Sequence, residues 1–317
     1  MNYRRLLPIA AAAATGIQVG AAMVATRFVV GQVGPASLAL LRYAIGFCCL
    51  VPPLLVMLRR SPLRFRGRDL PPIALLGIVQ FGVLIALLNY GLRTVPSARA
   101  ALIFATFPLL TMLLAAALGR ETLSPARTSG VLLSIAGVAV ALGEKVVTAT
   151  ATATTTAAAA ASHGWSGELA IAAAAFSGAT CSVLYRPYLS RYPTLPVGAL
   201  AMLASVAFLV VPAAGEGLFA TPLRLSAIGW AAVLFIGVSS GIGYYLWLWA
   251  LARAPATQVA VFLSLSPVTA ALLGALLLGE GVATGTIAGL ACVVLGLWLA
   301  HRETVPRSPA PIGSHRL

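Results

Sequence analysis

Thr15, Gln18, Ala22 and Thr26 recur at i, i+3, i+7 and i+11 within the uncharged run from Leu6 to Thr26. On a helix that spacing sets two hydroxyls, an amide and a small side chain along one stripe. Ser240, Tyr244 and Trp247 follow at i, i+4 and i+7 in a second apolar run, where hydroxyls and an aromatic face could clasp a small amphipathic solute. Gln80 and Tyr90 fall within about 80° of each other at about 100° per residue, whereas Asn89 lies about 180° from Gln80. Arg42 stands about six residues inside another apolar run, where burial costs about 2.5–3.5 kcal/mol. It either binds an anionic group of a solute or pairs with a helix C-terminus as a structural clamp. The chemistry these groups offer is non-covalent recognition: polar side chains in apolar runs line a watery cavity or hydrogen-bond between helices. Trp247 and Trp249 also fit an interfacial aromatic belt.

Catalytic chemistry has little to work with. Asp69 is the only Asp, and His163, His301 and His315 fall in loops or the tail. Cys48, Cys49, Cys181 and Cys292 sit in apolar runs without CxxC or metal spacing, so they read as small core residues. No metal, cofactor or enzyme activity is expected.

The elements that position these groups are membrane helices. Hydrophobic residues make up 60% of the chain and charged ones 9%, and mean hydropathy is +0.97, which makes lipid the main solvent. Breaks at charges, Gly and Pro leave ten apolar stretches, at about 6–26, 36–58, 70–92, 99–119, 126–143, 166–186, 195–213, 226–250, 257–279 and 281–300, most near the roughly 20 residues a crossing needs. The fifth and sixth are short and need tilt or snorkelling flanks. Arg4 and Arg5 before an Ala-rich run also resemble a signal peptide, but the run is longer than an ordinary signal core and is expected to be the first span. With the N-terminus inside, 15 basic residues flank spans on the cytoplasmic side and 5 (Arg27, Arg93, Arg99, Lys145 and Arg224) lie outside. Ten spans return the C-terminus to the cytoplasm. The net charge of +14 is spread over short loops and forms no basic domain, which argues for lipid contact and against nucleic acid.

A motif occurs twice: Pro108 to Glu121 (PLLTMLLAAALGRE) and Pro267 to Glu280 (PVTAALLGALLLGE), 159 residues apart. At that offset residues 89–142 and 248–301 also share Leu92, Pro96, Ala101, Gly130, Gly137 and Ala141, so the chain holds a duplicated membrane unit. The low-complexity stretch Thr148–Ala161 separates five spans from five. An odd number of spans makes the second unit enter the membrane from the opposite face, giving two inverted five-helix repeats in an all-α integral membrane fold. The expected units are 6–143, a linker at 144–165, 166–300 and a cytoplasmic tail at 301–317.

Five-span repeats, Pro35 followed by Leu41-Arg42-Tyr43, and the Pro-apolar-Glu-Gly block together resemble the EamA unit of the drug/metabolite transporter superfamily. The likeness covers about 6–143 and 166–300. It implies a ten-helix carrier of small metabolites, many of them amino acids or related compounds exported across the inner membrane by alternating access. Pro108 and Pro267 each lack an N–H in mid-span and free the carbonyls of Phe104 and Leu263, which predicts kinks that serve as hinges or as packing bends. Glu121 and Glu280 end those helices on opposite faces as gate candidates, or bond local backbone or Arg. Small multidrug-resistance proteins of the same superfamily carry a Glu in mid first helix. Gln18 is the nearest polar residue here and cannot shuttle a proton, which leaves facilitated exchange or coupling through an end carboxylate. A channel, a structural scaffold or a membrane-embedded enzyme are the competing readings.

Overall fold

Proline placement marks where the helices begin. The computed structural model describes residues 3–60, 65–120, 125, 128–130, 132–133, 136–137, 139–140, 165–220, 222–254, 256–282 and 284–302, and no strand occurs among them. Glu121, half of the fifth apolar stretch and the Thr/Ala-rich segment lie outside the described residues. Helix α1 is Tyr3–Val29, and α2, Pro35–Arg60, opens on a proline whose missing N–H would have had no helical partner. A turn at Gly67–Asp69 leads into α3 (Leu70–Gly77), a π-helical turn (Ile78–Val83) and α4 (Leu84–Gly91) as one rod. Pro96 precedes α5 (Ser97–Phe104), and α6 (Phe107–Ala117) has Pro108 in its first turn. The second half comprises α7 (Ser166–Leu189), α8 (Thr194–Gly215), α9 (Ala227–Leu251), α10 (Ala256–Val261), a 3-10 turn (Phe262–Ser264), α11 (Leu265–Leu278) and α12 (Thr284–Arg302).

Among the described residues seven stretches are long and apolar enough to cross a bilayer, and Leu265–Leu278 and Thr284–Gly296 are shorter apolar helices. The outside of the bundle is apolar: Leu276, Val211 and Ile228 are 78%, 76% and 70% exposed. Such surfaces suit lipid, and helices satisfy their own backbone hydrogen bonds there. The chain is a multi-pass membrane protein.

Packing runs mainly between the halves. Helix α1 lies on α9 and α11, α7 lies on α4 and α6, and α2 lies on α8. A shift of 159 residues exchanges the first two arrangements. Gly167, in the first turn of α7, abuts the Thr94 hydroxyl, and Arg27, in the last turn of α1, donates to the Leu92 and Arg93 carbonyls at 2.6 and 2.7 Å. Helix α7 therefore starts beside the end of α1 and runs the other way.

Ion and hydrogen-bond clasps join the halves at both ends of the bundle. At the Arg27 end, Glu216 just past α8 accepts from Ala36 N at 2.9 Å, Ser37 N at 2.7 Å and Ser37 Oγ at 2.7 Å. It thereby caps the first turn of α2 and meets its dipole. Gly34 leaves the room, since a Cβ there would stand 2.0 Å from Glu216 Oε2. At the opposite end Tyr192 Oη donates to Asp69 Oδ2 at 2.7 Å and accepts from Arg66 N at 3.1 Å, while Arg191 Nη1 approaches Asp69 Oδ1 at 3.6 Å. Tyr192→Phe is expected to lower stability by about 1–2 kcal/mol because it strips a partner from the buried Asp69. Thermal unfolding of the purified protein checks this, and an unchanged midpoint would contradict it.

Candidate functional site

A small cavity of about 80 Å³ lies between the halves. From the first half, α1 contributes Thr15, Gln18 and Thr26, α2 contributes Arg42 and Tyr43, and the π turn contributes Gln80. From the second half, α9 contributes Ser240, Gly243, Tyr244 and Trp247. Phe104, Phe107 and Leu263 come from the two broken helices. Among the described residues no Asp, Glu, His or Cys is part of the lining, so those walls hold neither a proton-transfer pair nor a metal-ligand set.

Each polar group has a defined setting. Arg42 is 7% exposed, and its Nε donates to Ser240 Oγ at 2.6 Å. Ser240 is held in turn by donating to Ile236 O. Thr15 Oγ1 donates to Ala11 O at 2.9 Å and lies 3.3 Å from Gly243 O. Gln18 Nε2 donates to Ser239 Oγ at 3.3 Å. A Cβ on Gly243 would stand 2.5 Å from Gln18 Oε1, so the glycine makes room for the amide. Thr26 Oγ1 is buried without a hydrogen-bond partner among the described residues, and the Tyr244 hydroxyl sits beside that of Tyr185.

Aromatic rings make one wall. Tyr43 and Phe81 have centroids 4.7 Å apart, and Phe81 meets Tyr244 edge-on at 4.1 Å. Phe107 meets Trp247 edge-on at 5.8 Å. Such tilted and edge-to-face pairs fix ring orientation and leave faces for a solute.

The two proline helices are broken, a larger departure than a kink. Helix α5 ends at Phe104 and α6 resumes at Phe107, ahead of Pro108. The 3-10 turn after Val261 likewise precedes Pro267. Proline tolerates a first turn but not a helix interior, so each chain segment restarts its helix just before the ring. Gly119 and Gly279 then end the helices with φ of 65° and 63°, the left-handed conformation that Gly adopts without strain.

Glu280 reaches neither local backbone nor a local Arg. Its Oε1 accepts from Arg27 Nε at 3.3 Å, and Oε2 accepts from Ser97 N at 3.0 Å and from the Ser97 hydroxyl. One carboxylate thus caps the N-terminus of α5 while Arg27 caps the carbonyl end beyond α4, each sign complementing the helix dipole it faces. This knot adjoins Thr26 at the end of the cavity lining. Glu121, its sequence counterpart, lies outside the described residues.

The structure brings Thr15, Gln18, Thr26, Arg42, Gln80, Ser240, Tyr244 and Trp247 to one cavity. Tyr90 stands apart, 46% exposed, and Asn89 is fully buried with Nδ2 donating to Pro35 O at 2.9 Å. The π turn is the reason: Leu84 N donates to Val79 O, an i→i+5 bond that inserts a residue and rotates everything after it by about 100° from α-helical phase. Trp247 is 4% exposed, so it belongs to the interior and not to an interfacial belt. Arg42 pairs with a side chain on α9 and not with a helix C-terminus. Phe107 went unmarked in the sequence, while Tyr43 entered only through the Leu41-Arg42-Tyr43 motif and Phe104 only through its freed carbonyl, none of them as a cavity residue. Gly16 and Gly20 also went unmarked, and GxxxG spacing was their signal.

Residues 6–143 and 165–302 each match the model of the EamA-like transporter family. The chain is 31% identical over 250 residues, 77% of each chain, to a probable terminal-alkyne amino-acid exporter from Streptantibioticus cattleyicolor. It is 25% identical to an uncharacterized transporter from Archaeoglobus fulgidus, covering 90% of this chain and 95% of that one. An aromatic amino acid exporter, YddG, from Ancylobacter novellus is 29% identical over 205 residues, 64% of this chain and 66% of its own. A solved crystal structure superposes with a TM-score of 0.68 at 25% identity, covering 94% of this chain and 98% of that one.

Proposed function

We propose that this chain, which belongs to the EamA-like transporter family, carries a small organic metabolite, an amino acid or related compound, outward across the bacterial inner membrane by alternating access. The observation that carries this reading is the cavity whose polar and aromatic walls come from both halves. Two halves that each supply part of one site can expose it to either side by rocking against each other. The antiparallel course of α1 and α7 supports two inverted five-helix repeats, at 6–143 and 166–300 with a linker between them. The excess of cytoplasmic basic residues supports internal termini. Pro108 and Pro267 serve as hinges because both broken helices meet the cavity at the break, and the Glu280 knot, with Glu121 as its counterpart, serves as a gate element. Thr15, Gln18, Thr26, Arg42, Gln80, Ser240, Tyr244 and Trp247 form the substrate site, and Tyr90 stands outside it.

Reconstituted in proteoliposomes, the protein is expected to give saturable flux that speeds up when substrate is present on the far side. Unsaturable conductance would favour a channel and overturn the carrier. Gln18→Ala, Tyr244→Ala and Trp247→Ala are each expected to weaken substrate affinity about tenfold, the scale of one lost buried contact of about 1.4 kcal/mol, with insertion and yield near normal. Wild-type affinity in all three would refute the site.

A further inference from the structure

Among the described residues the cavity has one formal charge and no acid on its walls to balance it; the Tyr43 ring, its centroid 5.6 Å from Arg42 Cζ, offsets part of that charge as a cation–π neighbour. Arg42 is more than nine-tenths buried, its Nε is committed to Ser240, and among the described residues that is its only hydrogen bond and no carboxylate pairs with it. No acidic side chain appears among the described lining residues. A cation taken out of water is stable only with a compensating anion or strong acceptors. The bond through Nε holds the guanidinium plane in place and leaves its terminal Nη edge, the fork that matches a planar carboxylate in bidentate fashion.

From this we infer that, of the two alternatives in the proposed function, the substrate is the related compound and not the free amino acid: a small organic monoanion, a monocarboxylate with an apolar or aromatic body, which Arg42 selects over the zwitterion and over amines. The inference rests on the transport reading for its biology but on the cavity alone for its chemistry. An ammonium group would enter beside the guanidinium and meet amide and hydroxyl oxygens and aromatic faces, Gln18, Gln80 and Trp247 among them, with no carboxylate among the described lining residues to receive it. Like-charge juxtaposition of this kind is how a site excludes a competitor. A dianion such as a phosphate monoester would leave one charge unmatched, because the lining offers a single cation. Tyr43, Tyr244, Phe107 and Trp247 give the body of the solute an aromatic wall, with Phe81 packed against Tyr43 and Tyr244.

Three probes share one apolar body and differ in charge: 3-phenylpropanoate, L-phenylalanine and phenethylamine. Binding to the purified full-length protein in neutral detergent, followed by tryptophan fluorescence, is expected to be at least tenfold tighter for the anion than for the other two. Arg42→Gln is expected to bring the anion-to-amine ratio close to one, and Arg42→Lys to keep the preference at reduced affinity. The assignment is overturned if the zwitterion or amine binds as well as the anion, if none of the three binds folded protein, or if Arg42→Gln keeps the preference. Should Arg42→Gln lose its folded elution profile, the wild-type series and Arg42→Lys decide. Exchange of the same probes in proteoliposomes separates the two readings. Preference for the anion in binding without any flux leaves the charge assignment standing and removes transport, whereas flux led by the zwitterion or amine does the reverse.

Discussion

Gly16→Ala should lower the stability of the protein by about 3 kcal/mol, the upper range for overpacking, because its new methyl group would meet backbone that cannot rotate away. A Cβ at Gly16 would stand 2.0 Å from Phe262 O, and one at Gly20 would stand 2.4 Å from Ser266 O. Both oxygens belong to the stretch where α10 breaks and α11 begins, so α1 rests directly on that turn. Helix α1 must lift away to admit either methyl, and it carries Thr15, Gln18 and Thr26 of the cavity wall. At about 2–4 °C per kcal/mol the midpoint of thermal unfolding should fall by about 6–12 °C, and Gly20→Ala should behave similarly. Gly31→Ala is the control, since nothing stands within 4 Å of a Cβ there. Equal melting of Gly16→Ala and wild type would show that α1 does not pack on the broken helix.

Glu280→Ala is expected to cost about 2 kcal/mol. Loss of a helix cap accounts for about 1 kcal/mol of this, and the acceptor removed from the Ser97 hydroxyl and from Arg27 Nε for the rest. The ion pair itself is discounted because the two side chains are 28% and 16% exposed and water screens them. Glu280→Gln should lose about half as much, as its amide oxygen still accepts from Ser97 N. Combining Glu280→Ala with Arg27→Ala should cost less than the sum of the single changes, because the pair acts as a unit. Strict additivity in thermal or denaturant unfolding would mean that the carboxylate only caps α5.

Much of this architecture was legible in the residues because membrane helices advertise themselves locally. Apolar runs set the spans, and the stripe of Thr15, Gln18 and Thr26 held true to one face because nothing interrupts the α-helical period of α1. The projection of Gln80 and Tyr90 failed for the complementary reason. A π turn leaves no mark in composition, and beyond it each residue faces a direction the period does not give. The break before Pro108 and Pro267 was readable as a bend, but its extent depends on the glycine face of α1 pressed against one of the two turns.

By itself the amino-acid sequence determined the apolar segments, the duplication at 159 residues and the polar faces of the uninterrupted helices α1 and α9, since each follows from spacing along one chain. Only the tertiary structure decided that faces from both halves meet in one cavity, that Arg42 finds Ser240 without an acid, and that Glu280 reaches across to Arg27 and Ser97. Those pairings join residues 183 to 253 positions apart for Glu280 and 198 apart for Arg42. Helical periodicity says which side of a rod is polar, but the rod it faces is set by the packing of the whole bundle.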